Sequence, residues 1–228
     1  MHQLPPGQRP VVGFPRFGVD TTHPPPTVEP GTAIEVVGDL SRTLQLAAAD
    51  LATLPRRTVE ADFHCVAGWS AVGLTWDGWS FADVYEQLIS PVSTTDVAYL
   101  VFVGADGYRS IVTLEDAIGS DVLLADRLDG EPLSPEHGAP LRLLSPGQYG
   151  FISTKHLRRI ELHAKEPRAF FHPSRRVQIA LRTVHPHRRA RVWQEERHRY
   201  VPSWLVRPIY HRLVPLPAPR LTDEESAR

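Results

Sequence analysis

The 228-residue sequence predicts an α+β fold of mixed β-sheets joined by short helices. Period-two and helical apolar patterns both occur, but without the regular strand–helix alternation of a doubly wound sheet. The chain holds 22 prolines and several Asp-Gly turns, which cut it into short elements. Hydrophobic content of 42% with 22% charged residues is ordinary for a folded chain of this length, which can bury a sizeable core.

Residues 1–30, with "LPPGQRP" and "THPPPTVEPG", read as an extended arm. "AIEVVGDL" (33–40) alternates like a strand and turns at Gly38-Asp39. "TLQLAAADLATLP" (43–55) spaces Leu44, Ala47, Ala48, Leu51 and Leu54 at helical intervals and is closed by Pro55. "RRTVEADFHCV" is strand-like. "SFADVYEQLIS" (80–90) predicts a Ser-capped helix with Val84, Leu88 and Ile89 on one face. "VAYLVFVGADGY" (97–108) predicts a buried strand ending in a turn, and "RSIVTLEDAI" a strand followed by a short acidic helix. Residues 121–146 read as strand, Asp-Gly turn, proline-rich loop and a second strand over 140–144. "TKHLRRIELHA" (154–164) predicts a closing strand. Residues 164–228 form a basic arm in which Pro202 and Pro208 interrupt any helix.

Residues 1–167 have a net charge of −9 and residues 168–228 one of +8, so the overall −1 hides an asymmetry. The basic end is expected to wrap the acidic body; a membrane-surface or partner-binding segment is the alternative, since aromatic and basic residues interleave there. Nucleic acid is not expected, because the chain as a whole is not basic. No apolar run is long enough for a transmembrane span, and the first residues show no export signal, so a cytoplasmic location is expected.

The one cysteine, Cys65 in "ADFHCVAGWS", excludes an internal disulfide framework. Alone, it reads as a buried small hydrophobe or as a nucleophile. On a strand, His64 would face away from it. A zinc site lacks a second cysteine, and His185, His187, His198 and His211 read as surface histidines. Trp69, Trp76 and Trp79 read as core.

The context adds to this. "DFHCVAGWSAVGLTWDGWSFADVYEQL", with Trp76, Gly78, Phe81, Asp83 and Leu88, resembles the molybdopterin-binding domain of the sulfite oxidase family. The likeness is to small bacterial members and to the methionine sulfoxide reductase catalytic branch. The block "LDGEPLSPEHGAPLRLLSPGQYGFISTKHLRRIEL" (128–162) matches the family in the same order, and the resemblance spans residues 31–163.

The resemblance implies a sulfite oxidase-type fold over 31–163 and an oxidoreductase that transfers an oxygen atom in a two-electron step. It implies Cys65 as catalytic thiolate and molybdenum ligand, beside one molybdopterin. His137, Arg142, Ser153, Thr154 and Lys155 fall at cofactor-contact positions, Arg142 toward the phosphate or the pyranopterin and Lys155 toward the phosphate. Gly104 with Ala105 falls where the family lines the pocket, and Phe17 with Gly18 matches an N-terminal contact. A small-molecule oxo donor or acceptor and a separate redox partner protein follow, since no haem motif is present. The residues just after Cys65, "VAGWSAVG", hold no arginine, which argues against sulfite. The other reading is a fold relative without chemistry that acts as a binding or assembly module.

Overall fold

A computed structural model describes residues 3–16, 24–167 and 187–221. In chain order the elements are β1 (Arg9–Val11), β2 (Ile34–Val37), β3 (Leu44–Leu46), α1 (Ala48–Leu51), β4 (Arg56–Glu60), β5 (Phe63–His64), β6 (Trp69–Ala71) and β7 (Thr75–Ser80). Then come α2 (Phe81–Val84), β8 (Tyr99–Gly104), β9 (Arg109–Thr113), α3 (Leu114–Ala117), β10 (Leu123–Leu128), β11 (Glu131–Pro132), β12 (Arg142–Leu144), β13 (Leu157–His163) and α4 (Ser203–Leu213).

The largest core lies on a five-stranded sheet of order β3-β2-β13-β8-β9. Its strands alternate, so Ile34, Val36, Leu100, Phe102, Ile160 and Leu162 all turn into one apolar cluster. β13 is the centre of this sheet, not an edge: Ile160 lies opposite Val36 on parallel β2 and opposite Phe102 on antiparallel β8. A second sheet runs β11-β10-β7-β4, with β12 also on β10. A third, β1-β6-β5, brings the N-terminal segment in parallel beside the segment that follows Cys65. The Ser cap expected at residue 80 is present, and Thr113 caps α3 in the same way. Ser80 Oγ accepts from the Asp83 amide, and Thr113 Oγ1 from the Asp116 amide.

A second core joins Trp69, Trp76, Leu123 and Leu144 to side chains from both ends of the chain: Val11 and Phe14, and Tyr210, Val214 and Leu216. The basic C-terminal segment also pairs with the acidic body. Arg189 and Arg191 meet Asp116 and Glu115, while Arg188 and Arg199 meet Glu166.

Four expectations need correction. Leu44–Leu46 is a strand, because Leu44 and Leu46 point inward together while Gln45 points out; only Ala48–Leu51 is helical. The strand expected over 56–66 is two, β4 and β5, in different sheets. Pro208 sits inside α4 without ending it. It costs one backbone bond, from the Trp204 carbonyl, and both residues lie on the solvent face where water can satisfy that carbonyl. His198 is buried, its Nδ1 accepting from the amides of Tyr200 and Val201. His185 lies outside the described residues. All three tryptophans read as core are buried.

Candidate cofactor site

Cys65 sits where strands β5 and β6 turn back on each other. Its amide donates to the Trp69 carbonyl at 2.8 Å and its carbonyl accepts from the Gly68 amide at 2.9 Å. Gly68 takes φ +93°, the left-handed conformation that lets so short a loop close. A Cβ there would also stand 2.9 Å from His211 Nε2 and 3.1 Å from the Gly7 carbonyl. The loop is thus pressed between the N-terminal segment and α4.

Both chain ends hold this turn. Gln8 Nε2 donates to the Cys65 carbonyl at 3.1 Å. Ser70 Oγ donates to Gln8 Oε1, so it accepts from His64 Nδ1–H at 2.8 Å. This engages His64 with Ser70. From the C-terminal segment, fully buried Arg197 donates to the carbonyls of Val66 and Pro6, at 2.5 and 3.0 Å, and to Glu195. Its guanidinium carbon lies 5.1 Å above the ring of Tyr149. The Tyr149 hydroxyl is buried and has no hydrogen-bond partner among the described residues. Burial pushes that phenol up to about 12.

As a residue, Cys65 is half-buried. Crowding by its neighbours still desolvates the thiol and pushes it up to about 12, while the Ala67 amide and the charge of Arg197 favour its thiolate. No three His, Cys, Asp or Glu side chains among the described residues cluster to hold a metal on their own.

The second half of the site centres on Arg142, in β12. It is fully buried, which removes the possibility of a surface arginine. Nη1 donates to the His137 carbonyl at 2.9 Å, Nη2 to the Ser153 carbonyl at 3.1 Å and Nε to the Leu143 carbonyl at 3.3 Å. The rings of Phe14, Phe63 and Trp76 surround it at 5.9, 5.3 and 5.3 Å. No carboxylate pairs with it among the described residues. Burial pushes its guanidinium down to about 9, still protonated at neutral pH. Phe63, two residues before Cys65, links the two halves.

Lys155 stands beside this charge. Burial, then the fields of Arg142 and Arg16, push its ammonium down to about 7; its Nζ donates to the Glu136 carbonyl at 2.6 Å. His137 stacks on Phe14 at 4.8 Å between centroids. Its Nε2 reaches the Phe14 carbonyl at 2.8 Å, an acceptor only, so Nε2 carries the proton and neutral Nδ1 accepts from Ser134 Oγ. Burial lowers the His137 pKa. His156 packs into the same group, donating from Nδ1 to the Ala139 carbonyl at 2.7 Å.

Ser153 and Thr154 are buried braces here. Their amides bond the carbonyls of Gly150 and Ile152, Ser153 Oγ accepts from the Ser145 amide, and Thr154 Oγ1 meets Ser110 Oγ. Gly104 packs on Lys155, where a Cβ would lie 2.6 Å from the Lys155 carbonyl and from Asp106 Oδ1. Phe17 and Gly18 lie outside the described residues; Phe14 is the aromatic that reaches the site. Arg197, Gln8, Tyr149 and Phe14 escaped the sequence reading. The "YGF" of the second motif block is the one signal that pointed near any of them.

Comparison with known proteins gives a consistent picture. A family model described as "oxidoreductase molybdopterin binding domain" matches residues 23–171. The uncharacterized oxidoreductase YuiH of Bacillus subtilis is 32% identical over 161 residues, covering 70% of this chain and 78% of its own. The sulfite oxidase of Arabidopsis thaliana is 30% identical, covering 61% of this chain. The methionine-sulfoxide reductase catalytic subunit MsrP of Xanthomonas axonopodis is 31% identical over 70% of this chain. The match spans only 44% and 54% of those two longer proteins. The sulfane dehydrogenase SoxCD of Paracoccus pantotrophus shares the fold, with a TM-score of 0.50 at 24% identity over 58% of this chain and 38% of its own.

Proposed function

Since the chain belongs to the oxidoreductase molybdopterin-binding domain family, we propose that it holds one molybdenum-molybdopterin through Cys65. We propose further that it performs two-electron oxygen-atom transfer with a small-molecule oxo donor or acceptor, exchanging electrons with a separate redox partner. The observation that carries this reading is Arg142, a fully buried cation with no carboxylate partner among the described residues. Lys155 beside it adds a second charge that burial and Arg142 disfavour. Buried positive charge of this kind calls for an anion, and a phosphate-bearing pterin supplies one.

The other half fits as well. Cys65 is a soft sulfur donor whose desolvated thiol gains most from a metal cation, and the buried Tyr149 hydroxyl, without a hydrogen-bond partner among the described residues, is available to a ligand. The cofactor, when bound, supplies a metal that cycles by two electrons and exchanges one oxygen atom. The chain's own residues do the rest. Cys65 gives up its proton, and the Ala67 amide and Arg197 stabilise the resulting thiolate. Gln8 and Arg197 fix the loop that presents it. Lys155 and Arg142 hold positive charge, while Phe14, Phe63 and Trp76 exclude water around Arg142. Arg197 turns its donors toward carbonyls and Glu195, so it is no replacement for an open anion-binding arginine, and sulfite remains disfavoured.

The test is elemental analysis for molybdenum, with pterin fluorescence after oxidation, on chain made in a host that synthesises the cofactor. Near-stoichiometric metal and pterin, with metal lost in a normally folded Cys65→Ser variant, support the reading. Well-folded protein with neither metal nor pterin overturns it.

A further inference from the structure

α4 has 11 residues; its inward side packs on the second core through Tyr210, and Val206 on that side is buried. Its outward side is apolar too. Trp204, Leu205, Ile209 and Leu213 are 68, 46, 54 and 72% exposed. At 100° per residue these four, with Pro208, share one half of the helix. Val201, also exposed, precedes the helix. A soluble surface rarely leaves so many large apolar side chains together without a partner.

The charge around the face selects the partner. Residues 197–221 hold five arginines and no Asp or Glu. Three are committed: Arg197 and Arg207 to Glu195, and Arg199 to Glu166. Arg212, on the outward half of the helix, and Arg220, after it, are exposed and have no ion-pair partner among the described residues. An exposed helix face of aromatic and aliphatic residues that carries Arg212, with Arg220 following the helix, matches a bilayer interface with anionic headgroups. Tryptophan settles at headgroup depth, leucine and isoleucine enter the acyl boundary, and arginine reaches back to phosphate.

We propose that this face of α4 docks the protein on an anionic lipid surface. Because His211 of the same helix packs on Gly68, docking would set the Cys65 loop just behind the bound face. The proposal does not depend on the cofactor reading.

The experiment is co-sedimentation of the full chain with vesicles of phosphatidylcholine alone or mixed with phosphatidylglycerol, followed by tryptophan fluorescence. The expected result is binding to the mixed vesicles, about tenfold or more weaker on phosphatidylcholine alone, with a blue-shifted emission and weakening as salt rises. The double variant Trp204→Glu/Leu213→Glu should lose binding while its thermal unfolding stays unchanged, since both positions are on the surface. Arg212→Glu should weaken binding to the anionic vesicles selectively. Absence of binding to either vesicle overturns the proposal, as does binding that survives the double variant. A dimer in sedimentation analysis that the double variant dissolves would also overturn it, because a second copy would then be the occupant.

Discussion

Arg197 Nη1 donates to the carbonyl oxygen of Val66 at 2.5 Å, one residue beyond Cys65 and 131 positions away in sequence. The contact ties the C-terminal segment to the loop that presents the thiol. Arg197→Met should leave the Val66 and Pro6 carbonyls without their donor and Glu195 with one cation fewer. We expect a loss of about 2–4 kcal/mol in urea unfolding. Arg197→Lys should recover only part of it, because an ammonium cannot span the same fork. Equal stability of Met and Lys variants would contradict a bridging role.

Arg142 makes a similar brace on the other side. Arg142→Lys keeps the charge but cannot reach the carbonyls of His137 and Ser153 together. Destabilisation of about 2 kcal/mol and reduced pterin content are expected, read by chemical unfolding and by fluorescence of the oxidised pterin.

Lys155 predicts a pH dependence with a definite sign. Its folded pKa is lowered to about 7 from 10.5, so between those values the unfolded chain binds more protons than the folded one. Stability contributed by this group therefore rises with pH across that window in cofactor-free protein. Lys155→Met should raise the neutral-pH stability of cofactor-free chain by about 1 kcal/mol and flatten the slope, yet lower cofactor retention. Thermal unfolding from pH 6 to about 10, on the parent and the variant, checks the sign.

Gly68 is required twice, by its φ of +93° and by the close approach of His211. Gly68→Ala should cost about 2 kcal/mol or more and speed hydrogen exchange in both α4 and β1. Exchange confined to the loop itself would show that the two chain ends do not depend on it.

Much of the fold was legible because it rests on local chemistry. The alternation in Ile34–Val37, Tyr99–Gly104 and Leu157–His163 reports which side of a strand is buried, and the cap at Ser80 acts within three residues. Leu44–Leu46 misled because leucines spaced by two and by three or four overlap in so short a stretch. β1 was hidden because its pairing with β6 is parallel and lies 60 positions away, in a segment whose prolines suggested only an arm.

By itself the sequence determined the mixed α+β class, a unique thiol at Cys65, and the order of the two blocks that carry Cys65, Arg142 and Lys155. Only the tertiary structure decided that Arg142 is fully buried without a carboxylate partner among the described residues, and that Gln8, Arg197 and His211 close around the Cys65 loop. The physical reason is range. Periodicity and capping record neighbours two to four residues apart, whereas an arginine 131 residues away becomes part of the site only when the core that joins both ends has formed.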